Sequence, residues 1–141
     1  MMTHLSITAR LEKLKEYTNY LKGYQKKSLA EIKTDYTLQG AILHYLQLSI
    51  ECVMDIGELL ISELGHRKPQ GAQELFMILA EGKVISHDFA LKLVPMTSFR
   101  NILVHEYTEI DLEKVFLHLQ NDLNDLDVYS QGVAQFLKHK K

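Results

Sequence analysis

The chain has 141 residues with 46% hydrophobic and 24% charged side chains, the composition of one globular domain spanning 1–141 rather than of a disordered or fibrous chain. A formal charge of −2 and a pI near 6.4 exclude a broad basic footprint for nucleic acid, so any RNA contact must be local. The single Cys52 excludes an internal disulfide or a Cys-rich zinc site; with no signal-like N-terminus and no long apolar run, the expected location is the cytoplasm, with no membrane partner.

Two prolines and seven glycines are too few turn signals for an all-β chain, and the periodicity is helical throughout. Residues 8–27 place Leu11, Leu14, Tyr17, Leu21 and Tyr24 at three- and four-residue intervals among lysines and glutamates, which predicts an amphipathic surface helix. Thr34 or Asp35 can cap a long helix over 36–64, roughly 45 Å at about 1.5 Å per residue, with Gly65 as its stop. Its apolar residues, from Leu38 and Ile42 through Val53 to Leu60, cover most of the circumference, so a second subunit is expected to bury part of it. A short helix follows over 71–82, closed by Gly82, with Leu75, Phe76, Ile78 and Leu79 inward. The segment 86–106 is helical in pattern, although Pro95 should kink or split it near Val94. Asp111 can cap a final helix carrying Val115, Leu119, Leu123, Leu126, Tyr129 and Val133 into the basic tail 138–141. The architecture these elements predict is all-α, an up-and-down bundle of four to five helices.

The chemistry-bearing stretch runs from Ser98 to Tyr107. On a helix, Met96, Phe99, Ile102 and Leu103 form an inward stripe, and Arg100, Asn101, Val104 and His105 take the opposite arc, with Tyr107 returning to the line of Arg100. Histidine moves a proton near neutral pH and arginine clamps a phosphate with paired donors. RNA brings its own nucleophile, the ribose 2′-hydroxyl, so this set suits phosphodiester cleavage without a metal. The same residues also fit an exposed helix end, with Arg100 and His105 solvated or paired with Glu106 and Glu109.

The string Arg100-Asn101-x-x-x-His105-x-Tyr107 resembles the signature of the HepT-like family of HEPN-domain toxins: Arg, four residues, His, one residue, Tyr. The long helix carrying Asp55-Ile56-Gly57-Glu58, the short third helix, and Asp111 four residues past Tyr107 fit the same pattern across nearly the whole chain. Phe99 stands where methionine is common, a change expected to affect packing only. The resemblance implies a HEPN-like bundle and a homodimer whose motif helices line a shared cleft. Arg100 and His105 would cleave RNA there, tRNA being the expected class, without metal or cofactor, while Asn101 orients the motif. It further implies a partner, a minimal nucleotidyltransferase antitoxin that transfers AMP to Tyr107, where added charge and bulk would block the cleft. A tyrosine packed at a helix end is the plainer fate of Tyr107. A non-enzymatic helical dimer that binds a nucleotidyltransferase is the alternative to the enzyme.

Other constellations carry less. Glu51, Asp55 and Glu58 share one helix face and Glu63-x-x-His66 resembles a di-iron ligand string, but that site needs two such strings plus two further glutamates and Gly65 disrupts the helix of this one, so a solvated face or pairing with lysines is expected. Cys52 reads as core, and His44, His66, His87 and His118 lack ligand spacing and read as surface or packing residues.

Overall fold

A computed structural model describes the backbone of residues 2–105 and 110–139, and the side chains of these apart from 2, 3, 97, 98 and 100–105. The described elements are all helices: α1 Met2–Tyr24, α2 Leu29–Thr34, α3 Tyr36–Leu64, α4 Ala72–Glu81, α5 His87–His105, α6 Leu112–Asn121 and α7 Leu123–His139. The all-α bundle is as expected, and the two additional helices have identifiable causes.

The first is α2. Ser28 accepts the Glu31 N–H on its hydroxyl, and Glu31 accepts the Ser28 N–H on its carboxylate, both at 3.1 Å. This reciprocal capping box starts a helix within a stretch that hydropathy alone renders as polar linker. The Ser28 N–H, and next to it the Ser28 hydroxyl, hold the Glu31 carboxyl below its ordinary range. Asp35 then ends α2, its N–H on the Glu31 carbonyl at 3.0 Å, and opens α3, its carboxylate accepting the Leu38 N–H at 3.1 Å.

The second is the division of the C-terminal helix at Asp122. The apolar series Val115, Leu119, Leu123, Leu126, Tyr129, Val133 keeps helical spacing straight across the break, and all six are buried, so periodicity hides it. Pro95, by contrast, leaves α5 unsplit, contrary to a break near Val94. The ring sits on an exposed face, and Ala90, Leu93, Met96 and Phe99 hold the opposite side in the core.

α3 packs against α1, α2, α4, α5 and α7, so its apolar circumference is largely satisfied within one chain. Ile42, Leu46, Ile50, Val53, Ile56, Leu60 and Ile61 are buried, while Leu38, Leu43, Tyr45, Met54 and Leu59 are half-buried against the same core. Cys52 belongs to that half-buried set rather than to the core proper. Burial, with Asp55 alongside, pushes its thiol above the ordinary range, the opposite of a reactive cysteine. Gly57 explains how α4 comes so close to α3: a Cβ there would lie 2.8 Å from Leu75 Cδ2 and 3.2 Å from Leu79 Cδ1. Tyr129 of α7 is fully buried and donates its hydroxyl to the Val53 carbonyl of α3 at 2.9 Å. Its phenol is pushed up by burial and keeps the proton it donates.

Gly65 closes α3 as expected, in the left-handed region at φ 73° and ψ 20°, with the N–H groups of Gly65 and His66 on the Ser62 and Ile61 carbonyls. The stop after α4 differs. Gly82 has an ordinary φ of −78°, and Lys83, one residue later, takes the left-handed turn at φ 62°. Gly82 is small because Leu64 Cδ1 and His66 Nε2 would stand 3.3 and 3.4 Å from a Cβ. A lysine in that conformation carries about 1–2 kcal/mol of strain that glycine avoids. Lys83→Gly is therefore expected to stabilise the fold by about 1 kcal/mol, net of the chain entropy glycine adds. Urea unfolding checks it; an unchanged or lower midpoint would show that the Lys83 side chain makes up for its backbone.

Candidate active site

The sequence motif falls at the C-terminal end of α5. Positions 100, 101 and 105 are helical, and by register they lie about 100°, 160° and 120° round the axis from position 99, off the buried row 90–93–96–99. The side chains of Arg100, Asn101, Ile102, Leu103 and His105, and all of Tyr107, lie outside the described residues. Met96 and Phe99 are 4% and 3% exposed, as the inward stripe requires. Phe99 lies against the ring of His118 on α6, centroids 4.0 Å apart and planes inclined by 28°. His118 in turn hydrogen-bonds through Nδ1 to the carboxylate of Asp122, at the break between α6 and α7. Since a carboxylate only accepts, Nδ1 is the protonated nitrogen.

On the far side of the motif Asp111 caps α6 as expected, its carboxylate accepting the N–H groups of Glu113 and Lys114 at 3.0 and 3.3 Å. Lys33 of α2 reaches Glu113 at 3.5 Å. The end of α1 is fastened to α6 by reciprocal amides: Gln25 Nε2 donates to the Leu119 carbonyl at 3.0 Å, and Gln120 Nε2 to the Gln25 carbonyl at 2.8 Å. The two helices flanking the motif are thus held by the bundle, α5 through its buried row and α6 through α1 and α2.

His118 packs on Phe99, in keeping with its reading as a surface or packing residue, whereas Asp122 was not singled out from the sequence. Their i, i+4 spacing was a visible signal for a side-chain pair, but nothing in the sequence placed them against Phe99.

Glu51 accepts from Gln47 at 3.1 Å, Asp55 and Glu58 are exposed, and Glu63 pairs with His4 of α1 at 2.8 Å. His66 is exposed beyond Gly65. Among the described residues no group of three or more His, Cys, Asp or Glu is placed to hold a metal ion. No helix of the described residues is long and apolar enough to cross a membrane. His44 and His87 are exposed, as expected.

The ribonuclease HepT-like family model matches residues 7–133. The tRNA nuclease HepT of Aphanizomenon flos-aquae is 28% identical over 131 residues, 93% of this chain and 89% of that protein. The mRNA nuclease HepT of Shewanella oneidensis is 30% identical over 100 residues, 71% of this chain and 75% of its own length. Among solved structures, the tri-AMPylated Shewanella oneidensis HEPN toxin in complex with MNT antitoxin superposes with a TM-score of 0.82 at 25% identity, covering 92% of this chain and 96% of that one. With its helices in that arrangement and its sequence matched from Ile7 to Val133, the chain belongs to the ribonuclease HepT-like family.

Proposed function

We propose that the protein is a toxin-type endoribonuclease of the cytoplasm, a single helical domain that cleaves RNA without metal at a cleft between two copies of itself and is neutralised by AMPylation. The observation that carries the enzyme reading is the family match over 7–133 together with an unbroken Arg100-x-x-x-x-His105 on α5. tRNA is the favoured class because the relative named for tRNA aligns over more of both chains than the one named for mRNA. The dimer rests on the family, since the apolar surplus of α3 is accounted for within one chain.

In this reading His105 of one copy takes the proton from the ribose 2′-oxygen as that oxygen attacks the adjacent phosphorus. Its counterpart in the other copy gives a proton to the departing 5′-oxygen. Arg100 stabilises the charge that builds on the five-coordinate phosphate, with two parallel N–H donors matched to its oxygens. The products carry a 2′,3′-cyclic phosphate and a 5′-hydroxyl. Asn101 orients the motif. Tyr107 is the acceptor for AMP from a nucleotidyltransferase antitoxin, which fits a solved relative that is tri-AMPylated and bound to its MNT antitoxin. Each added phosphate places negative charge beside Arg100 and repels the RNA backbone.

The test is cleavage of bulk tRNA in excess EDTA by protein shown by mass to be unmodified. Cleavage that survives EDTA and leaves cyclic phosphate ends is expected, and it should be lost once a partner nucleotidyltransferase and ATP add AMP to the wild type but not to Tyr107→Phe. An unmodified dimer that leaves every RNA intact would instead make the protein a binding module for the transferase.

A further inference from the structure

We propose that His118 is a positioning residue for the RNA-cleaving end of α5, acting through Phe99. The role rests on Arg100 and His105 being the cleavage pair. Phe99 is the last described buried side chain before the motif, and its peptide carbonyl is bonded directly to the nitrogen of Arg100. Its seat is the flat face of His118 at 4.0 Å, and a flat partner fixes both the depth and the tilt of a phenyl ring, where an aliphatic side chain would fix depth alone.

The imidazole is itself held. Its Nδ1–H donates to Asp122, so the ring cannot turn about its own axis without losing a charge-assisted bond. Asp122 has little freedom either: its N–H donates to the His118 carbonyl at 2.9 Å and its carbonyl accepts the Leu126 N–H at 3.2 Å. Leu126 and Leu123 are buried at the start of α7. A chain of contacts therefore runs from the core end of α7 through Asp122, His118 and Phe99 to the residue before Arg100. Rotation of the α5 end about its axis is the movement this chain resists, and that rotation would carry Arg100 and His105 off line. Misplacing a catalytic group by about 1 Å costs on the order of 10²-fold in rate.

The contact differs from ordinary core packing in a testable way. A packing residue gives stability, whereas a positioning residue sets kcat in molecules that are folded. With wild type, His118→Ala, His118→Phe and Asp122→Asn, two readings are taken well below the unfolding temperature: kcat and KM on tRNA, and the His105 ring resonance in a histidine-labelled carbon–proton NMR spectrum, assigned by its loss in His105→Ala. His118→Ala is expected to lower kcat between about tenfold and about 10²-fold with KM unchanged, and to shift or broaden the His105 signal. His118→Phe, which keeps the flat face, and Asp122→Asn, which keeps an acceptor for Nδ1–H, are expected to recover most of the rate and the wild-type signal. A His118→Ala protein that melts earlier but keeps both kcat and the His105 resonance would reduce His118 to packing and overturn the proposal. Should that variant fail to fold, Phe99→Leu and Asp122→Ala are measured in the same two ways: a lowered kcat with a shifted His105 signal supports the positioning role, and unchanged values of both overturn it. A wild type that cleaves no RNA refutes the cleavage pair, while the His105 resonance still decides whether His118 positions the helix.

Discussion

Replacing His105 with Ala is expected to lower tRNA cleavage by the unmodified dimer by about 10²–10⁴-fold, the range that one general acid–base residue contributes. In the proposed two-copy site the substitution removes proton transfer at both the attacking and the departing oxygen, so the loss belongs at the upper end. Arg100→Ala removes charge stabilisation instead and is expected to cost on the order of 10²–10³-fold, judged from the loss of one oxyanion donor. In the proposed mechanism both groups act on one transition state, so the double variant should be little worse than His105→Ala alone. Single-turnover cleavage with the dimer verified by light scattering is the measurement. A His105→Ala dimer that cleaves at the wild-type rate would remove the motif from the chemistry altogether.

The largest effect on stability is expected from Phe76→Ala. Phe76 is fully buried on α4, a helix that rests on α3 through the gap left by Gly57 and also packs on α5. Emptying a phenyl-sized volume in a close-packed interior costs about 3–5 kcal/mol, because neighbouring side chains collapse into it only partly. Against a total of about 5–15 kcal/mol for a domain, this brings the protein near the point of unfolding. Phe76→Leu keeps most of the volume and should recover more than half of that loss. Urea midpoints for the two variants decide it: equal, small shifts would mean that the α3–α4–α5 contact is looser than its geometry.

The parts of the fold that could be read from the sequence are those in which one physical signal acts alone. Asp35, Gly65 and Asp111 bound helices where capping chemistry says they should, because a carboxylate at an N-cap and a glycine at a left-handed stop have few competing uses. The break at Asp122 was invisible because the buried series continues across it unaltered. Gly82 closes α4 as expected, though not by dihedral freedom: it is small to make room for Leu64 and His66, and Lys83 makes the left-handed turn. α2 was legible in principle, since Ser28-x-x-Glu31 is a capping box. For the site, spacing put Arg100, Asn101 and His105 on one arc with Tyr107 returning to it and set Met96 and Phe99 inward, while the roles of the polar set came from the resemblance to the HepT-like motif. Spacing along one helix carries no information about which neighbour meets Phe99, so His118 and Asp122 emerged only when α6 was packed against α5. The inference from α3 to a second subunit also weakens in three dimensions, because a central helix has neighbours on most sides.

Asp35 has a mechanical consequence. It is at once the stop of α2 and the start of α3, with its N–H and its carboxylate both engaged, so no linker separates the two helices. A joint of that kind transmits torque and cannot serve as a hinge, because the one residue between the helices has no spare dihedral to give. α2 is then a bracket welded to the longest beam in the bundle, and through Lys33 and Glu113 it braces the first turn of α6. α5, packed on α3, and α6, packed on α2, are thereby seated on a single frame.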